Sequence, residues 1–338
     1  MAFRDLLTGT PLDSEEVSVE FEMRDRSESS GGGPIVFDNV VEAPGHSAAL
    51  NVLVRDRLCE VFDISPGELI DTLAWGMANP SEPMIVDSSD AEVLENRQGE
   101  VDLRALPIPW HYREDGGRYQ SASVIIAEYN GIRNMSYHRQ LLRDASHTVA
   151  RFVPRHLRTM YETARANGDE ISIAVVNGAD ATVLLAAAMS FNEDLDELTV
   201  AAALHERLHG QPLRLVRLGN GVSVPADAEY AMEARITLDV DVEGPYVDIT
   251  GTVDGVREEP VIEYDAVFHR NNPIFHALIS AGVEHRTLMG LPRAPTIKTA
   301  VSEVVPCTDV FLTDGGCGWL SSVVQIIPQN EGDGVRAI

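Results

Sequence analysis

Lysine is nearly missing from this chain of 338 residues: of 26 basic residues only Lys298 is a lysine, against 53 acidic ones. The formal charge is −27. No basic stripe is left that could neutralise a row of phosphates, which excludes a nucleic-acid partner. Cysteine is scarce too. Cys59, Cys307 and Cys317 have no paired spacing, so they read as reduced thiols in a cytoplasmic protein. Long apolar runs are lacking. The longest, Ala181 to Met189, falls far short of the roughly 20 residues that span a bilayer, which excludes membrane insertion. The opening Met1-Ala2-Phe3-Arg4-Asp5 has no apolar stretch of a secretory leader. Neither a Walker loop nor G-x-G-x-x-G occurs.

What is present is an ordinary apolar share of 44%, enough for a substantial core, and a length that suits two domains or one large one. The acids are spread over the whole chain and not gathered in a tail. Spread acidity with one lysine is the composition expected of a protein from a salt-saturated cytoplasm, where salt screens the self-repulsion of so charged a fold, with a merely acidic mesophilic protein as the alternative.

Periodicity sets out the elements. Ser29-Ser30-Gly31-Gly32-Gly33 is a flexible loop, followed by a short strand at Pro34 to Phe37. Ala48 to Leu73 is helical with a break at Ser65-Pro66. Val101 to Pro109 is punctuated by prolines and suits a domain junction. From Ser121 the texture turns to β. An apolar run, Asn130-Gly131 and a second run make a hairpin. Residues 154–167 are expected to be helical, stopped by Asn167-Gly168. Ile171 to Val176 reads as a buried strand, and Asp180 can cap a helix over Ala181 to Met189. Strands are expected at Val216, Ala231 to Val240, Tyr246 to Val253 and Val261 to Val267. The centre is therefore β with interleaved helices, an α+β chain and not a regular βαβ series.

Five clusters could carry chemistry. In Arg133 to Arg139, alternation puts Asn134, Ser136 and His138 on one face and Arg133, Met135, Tyr137 and Arg139 on the other. An exposed edge strand would look the same. Arg151-Phe152-Val153-Pro154-Arg155-His156 sits at a helix start, where a histidine can be a ligand or a hydrogen-bonding residue. Asp194-Leu195-Asp196-Glu197 alone reads as a surface acidic run. In Glu243 to Gly251 two carboxylates, Glu243 and Asp248, flank a Gly-Pro turn. Paired acids beside an arginine can have their pKa values pushed apart, as proton donation requires, though two solvated acids at a turn would show the same pattern. Glu284-His285-Arg286 and the run to Arg293 fit either a substrate-facing loop or a helix junction.

In order and spacing these clusters resemble the UbiD-like decarboxylases, which use prenylated FMN. The resemblance runs from about residue 34 to residue 328. It includes Leu106-Pro107-Ile108-Pro109, Asp115-Gly116-Gly117-Arg118-Tyr119, Asn134 to Arg139, Val224 to Glu229, and Glu243 to Asp248. Three stretches, Arg151 to His156, Tyr246 to Thr252 and Glu284 to Arg293, are similar to the archaeal anhydromevalonate phosphate decarboxylases. Where many members have Phe-Gly, this chain has Tyr246-Val247.

The resemblance implies an N-terminal α/β domain (1–105), a split β-barrel that binds the flavin (106–303) and the beginning of a truncated C-terminal domain (304–338). It implies Asn134, His156 and Glu197 as ligands of Mn²⁺ or Mg²⁺, and cofactor contacts from these residues and from Ser136, Arg139 and Arg155. A K⁺ site would lie near Ala187 and Met189. It implies catalysis by Arg139, Glu243 and Asp248: Arg139 would hold a small carboxylic acid substrate, Asp248 would return the proton after CO₂ leaves, and Glu243 would orient both. Arg286, Arg293 and Lys298 are available for a substrate phosphate. A flavin prenyltransferase would supply the cofactor, and a homo-oligomer is expected if the C-terminal domain is present. The expected reaction forms isopentenyl phosphate from trans-anhydromevalonate 5-phosphate. Decarboxylation of a 4-hydroxybenzoate-type acid, or an inactive flavin-binding or scaffold paralogue, remain as alternatives.

Overall fold

The computed structural model describes residues 2–190 and 195–338. Its body is an antiparallel sheet of nine strands. The pairing runs from Tyr119–Gln120 through Gln140–Leu142, His147–Ala150, Arg257–His269, Tyr230–Glu243, Ile171–Asn177 and Val124–Tyr129 to the edge strand Ile132–Tyr137. Asn96–Arg97 joins on the side of Arg257–His269. The two longest strands pair with register shifts after Glu233 and Ile236, and such bulges bend a sheet toward barrel closure.

Around the sheet stand the helices α1 (Glu22–Ser29), α2 (Arg55–Phe62), α3 (Pro66–Ala78), α4 (His156–Asn167), α5 (Ala181–Ala188), α6 (Glu197–His209), α7 (Val283–Gly290) and α8 (Ala294–Ser302). The sheet is buried on both faces, which is why its inner strands read as unbroken apolar runs. Val124, Ile126, Ala174 and Val176 face the core of α2, α3, α5 and α6. Ile125, Ala127, Ile173 and Val175 face a second core with α4. That helix packs through Leu157, Met160, Tyr161 and Ala164, one stripe of a 3.6-residue period. Among the described residues no helix is long and apolar enough to cross a membrane.

The break expected at Ser65-Pro66 separates α2 from α3 and is at the same time the start of α3, whereas Ala48 to Leu50, expected as helical, is a strand. Ser65 and Glu68 cap each other reciprocally and Pro66 takes the first helical position. The boundary expected near residue 105 is crossed by pairing. Met84–Val86 runs parallel to Arg214–Arg217, and Ser47–Leu50 parallel to Ile274–His276. Residues 307–326 form a separate hairpin, Cys307–Leu312 with Ser322–Ile326, that packs on α8.

Candidate active site

The hairpin Val124–Tyr129/Ile132–Tyr137 turns on Asn130 and Gly131, both at positive φ (53° and 77°), which matches the right-handed twist of its strands. Its second strand carries the polar face expected of it. Ser136 Oγ donates to Asn134 Oδ1 at 2.9 Å and lies 2.9 Å from His138 Nε2. On the other face Met135 enters the core. Burial pushes the His138 imidazole down to about 4, so it is neutral near pH 7.

Glu197, the first residue of α6, reaches this strand. Its Oε1 accepts from Asn134 Nδ2 at 3.0 Å and its Oε2 from the Met135 N–H at 2.9 Å. Glu197 is 4% exposed, and burial raises its carboxyl to about 7. Asn134 and Glu197, 63 positions apart, are thus joined. His156 is exposed at the start of α4, and among the described residues it has no hydrogen bond to either. Arg155 reaches Ser190. Ala187 and Met189 are buried at the C-terminal end of α5, where helix carbonyls are left without partners. Of the acidic run, Asp194 lies outside the described residues; Asp196 caps α6 by accepting from the Leu198 N–H at 2.9 Å.

Arg139 leaves the hairpin for the mouth of the sheet. Its guanidinium makes a two-pronged pair with Glu243, Nε to Oε1 at 2.8 Å and Nη2 to Oε2 at 3.0 Å. Nη1 donates to Asp248 Oδ2 at 3.0 Å and Nη2 to Asp254 Oδ2 at 2.8 Å. The cation lies 4.6 Å over the Tyr246 ring. Glu243 is fully buried and Asp248 is 41% exposed. Burial lowers the pKa of Arg139, but Glu243, Asp254 and Asp248 raise it by more, so the charge is fixed. Arg257 and then Arg139 hold Asp254 well below the usual carboxylate range.

The Gly244-Pro245 turn presents these acids. Pro245 O accepts from the Gly116 N–H at 2.8 Å and from Tyr119 Oη at 3.2 Å, and the same hydroxyl reaches Glu243 Oε1 at 3.1 Å. Asp115 Oδ1 accepts from the Val247 N–H at 2.7 Å. Gly116 has to be glycine, because a Cβ there would stand 2.6 Å from Gly244 O.

The family resemblance implied that Arg139, Glu243 and Asp248 act together, and they are in contact here; it left out Asp254, Arg257 and His285 as neighbours. Tyr246 to Val253 is not one strand. Two short strands, Tyr246–Val247 and Val253–Asp254, pair across a loop, which puts Asp254 opposite Tyr246. The dipeptide Asp254-Gly255 was the available turn signal. Glu284 is structural: it accepts from the N–H groups of Asn51 and Leu53 and contacts His276. Its neighbour His285 accepts from the Ala281 N–H at 3.1 Å. Burial lowers His285 to about 4, and Asp248 opposes that shift.

The family described as 3-octaprenyl-4-hydroxybenzoate carboxy-lyase Rift-related domain matches residues 84–283. This chain belongs to the UbiD family. It is 38% identical over 309 residues to the anhydromevalonate phosphate decarboxylase of Methanosarcina mazei, covering 90% of this chain and 70% of that relative. To the protein of the same name from Methanothermobacter thermautotrophicus it is 38% identical over 331 residues, 96% and 76% of the two chains. Among solved structures it is similar to an evolved dimeric form of the UbiD-class enzyme HmfF from Pelotomaculum thermopropionicum, in complex with prFMN. The TM-score is 0.94 at 29% identity, covering 99% of this chain and 81% of that one. The α+β fold is that of UbiD-class enzymes.

Proposed function

We propose that this UbiD-family chain is a prenylated-FMN-dependent decarboxylase that converts trans-anhydromevalonate 5-phosphate to isopentenyl phosphate. The observation that carries the reading is the nearly buried Arg139 held between Glu243 and Asp248, in a chain 38% identical to relatives named for that reaction.

The donor set fits the cofactor's metal. Asn134 and Glu197 stand 3.0 Å apart at their nearest side-chain atoms. That is about the edge of an octahedron with ligand bonds of about 2.1 Å, and oxygen ligands suit Mg²⁺ or Mn²⁺. Turning the Asn134 amide would present its oxygen beside Glu197. Asn134, Glu197 and His156 would hold the ion, Ser136 and Arg155 would contact the cofactor, and carbonyls around Ala187 and Met189 would suit K⁺. The flavin would supply the electron sink for C–C cleavage.

The protein's own part follows from donor counting. A guanidinium has five N–H groups, and four of Arg139's are engaged by Glu243, Asp248 and Asp254. A substrate carboxylate needs two in a row. Asp248, more exposed than Glu243 and Asp254, is the partner that gives way. Once displaced it can take a proton from water and deliver it to the carbon that has lost CO₂. Glu243, anchored by Tyr119, keeps the plane of Arg139 fixed. Of the cations considered for the phosphate, Lys298 is tied to Asp71 and Arg293 lies over Trp319. Arg286 has a buried Nε beside His285 with no hydrogen-bond partner among the described residues, and is the favoured one. A flavin prenyltransferase would supply the cofactor, and a second copy of the chain would be the partner where the C-terminal domain is present.

The test is to reconstitute the protein with prenylated FMN and Mn²⁺ and follow CO₂ release. Trans-anhydromevalonate 5-phosphate should be decarboxylated and 4-hydroxybenzoate should not. The opposite preference would overturn the substrate assignment.

A further inference from the structure

The far end of α6 carries a second cluster, unrelated to the residues above. The sequence there is His205-Glu206-Arg207-Leu208-His209. Two histidines four apart on a helix share one face, and this His-Glu-x-x-His spacing is that of helix-borne zinc ligand pairs. Their neighbour is Asp180, the N-cap of α5. One ligand atom from each of the three residues lies within 4.8 Å of the others.

Each residue has a spare atom for a cation. Asp180 uses Oδ1 on the N–H and hydroxyl of Thr182, while its buried Oδ2 has no hydrogen bond among the described residues. Among the described residues neither buried ring nitrogen of His209 has a hydrogen-bond partner, and Nε2 meets Asp180 Oδ2 only as a long ion pair, with the two side chains 4% and 1% exposed. Buried polar atoms without a hydrogen bond of normal length are costly. His205 is oriented by its backbone. Gly210 ends α6 at φ +68° and lets the chain fold back, so that Gln211 O lies 2.9 Å from His205 Nδ1. A histidine that donates Nδ1–H to a carbonyl presents the lone pair of Nε2, the usual outer support of a metal-bound imidazole.

We propose that Asp180, His205 and His209 bind a divalent transition-metal ion of the zinc class, separate from the ion expected at Asn134 and Glu197. Two imidazoles and a carboxylate suit Zn²⁺, and water would complete a tetrahedron. His209 Nε2 and Asp180 Oδ2 are 3.5 Å apart, close to the edge of about 3.4 Å for a tetrahedron with bonds of about 2.1 Å. All three ligand atoms lie within 4.8 Å of one another, so the wider separations have to close by up to about 1.4 Å to meet that edge. Access is through a surface cleft of about 720 Å³ lined by Arg57, Phe62, Asp63, Leu208, His209 and Gln211. Glu206 is exposed, and the ion's role is structural: it ties the C-terminal end of α6 to the start of α5. The first turn of α6 carries Glu197, so the tie steadies the helix that supplies the other site.

The experiment uses the full chain, stripped with chelator and titrated with Zn²⁺ and with Co²⁺. Metal content, the visible Co²⁺ spectrum and Tm are read for wild type, N134A/E197Q and H205Q/H209Q. N134A/E197Q should still take up one equivalent of Zn²⁺, show the intense visible bands of four-coordinate Co²⁺ and gain Tm on Zn²⁺ addition. H205Q/H209Q, which keeps Asn134 and Glu197, should take up one equivalent less than wild type, lack the four-coordinate Co²⁺ bands and keep the wild-type far-ultraviolet circular dichroism. The proposal is overturned if N134A/E197Q binds no zinc, or if H205Q/H209Q binds as much as wild type. Should H205Q/H209Q fail to fold, the wild-type Co²⁺ spectrum decides: bands of six-coordinate Co²⁺ alone would sink the proposal.

Discussion

At the scale of single residues, the acids around the Gly244-Pro245 turn do different work although they look alike in the sequence. Asp115 is 6% exposed, and burial raises its carboxyl from 3.8 to about 6. A carboxyl raised in the folded state binds its proton more tightly there than in the unfolded chain. Its stabilising effect is therefore greatest below about pH 4, falls as pH rises to about 6 and is flat above that. Two pKa units amount to about 3 kcal/mol. Asp115→Asn removes that dependence, so urea titrations at pH 4 and pH 7 should show the variant gaining up to about 3 kcal/mol on wild type. A constant difference across that range would contradict the assignment. Arg139→Lys should also be severe. One ammonium cannot span both oxygens of Glu243 together with Asp248 and Asp254. We expect kcat/KM to fall at least about 10²-fold, as for losing a transition-state charge contact, with the circular dichroism of the folded chain unchanged. These partnerships were only half legible in the sequence. Glu243 and Asp248 flank a turn that marks itself, whereas the third acid on Arg139, Asp254, becomes its neighbour only through pairing with Tyr246.

At the scale of elements, local signals were good guides wherever a turn or cap determined the outcome. Asn130-Gly131 gives the hairpin, Asp180 caps α5, and Gly168 at φ +78° ends α4. They misled where a tertiary contact decides. Tyr246 to Val253 has the composition of a strand, but the Asp248 N–H turns back to Thr252 O at 3.0 Å and makes a loop of it. At His156 the expected helix is present and starts on that residue, which is exposed and, among the described residues, makes no hydrogen bond to Asn134 or Glu197. The contact between Gly116 and Gly244 gives a test at this scale. Gly116→Ala places a methyl carbon against a backbone oxygen at 2.6 Å, and the turn carrying Glu243 and Asp248 must shift. A shift of about 1 Å near reacting groups can cost about 10²-fold in rate. Gly116→Ala should therefore lower kcat by about that much while Tm falls only modestly. Unchanged turnover would show that the turn is not held by this contact.

At the scale of the whole molecule, the excess of acid is met by sharing. Arg139 serves Glu243, Asp248 and Asp254, and Arg235 serves Glu170, Glu263 and Asp265. The guanidinium fork allows this and a lysine ammonium does not do it as well, which gives the near absence of lysine a structural sense. With a formal charge of −27, many acids are left to repel one another, and salt weakens that repulsion over about 10 Å at 0.1 M and about 3 Å at 1 M. Circular dichroism should show structure lost in dilute buffer and regained in molar KCl; identical spectra would count against adaptation to salt. Composition made this property legible, while the burial of the sheet on both faces was visible only as unbroken apolar strands. The central claim, that Arg139 and its acids carry out decarboxylation with Asp248 as proton donor, is tested most directly by Asp248→Asn. The protein, loaded with prenylated FMN and Mn²⁺, is given trans-anhydromevalonate 5-phosphate, and isopentenyl phosphate is measured together with flavin occupancy. The account predicts full flavin occupancy and turnover lowered by about 10²–10⁴-fold, the usual worth of general acid catalysis; turnover at the wild-type rate with the flavin bound would contradict it.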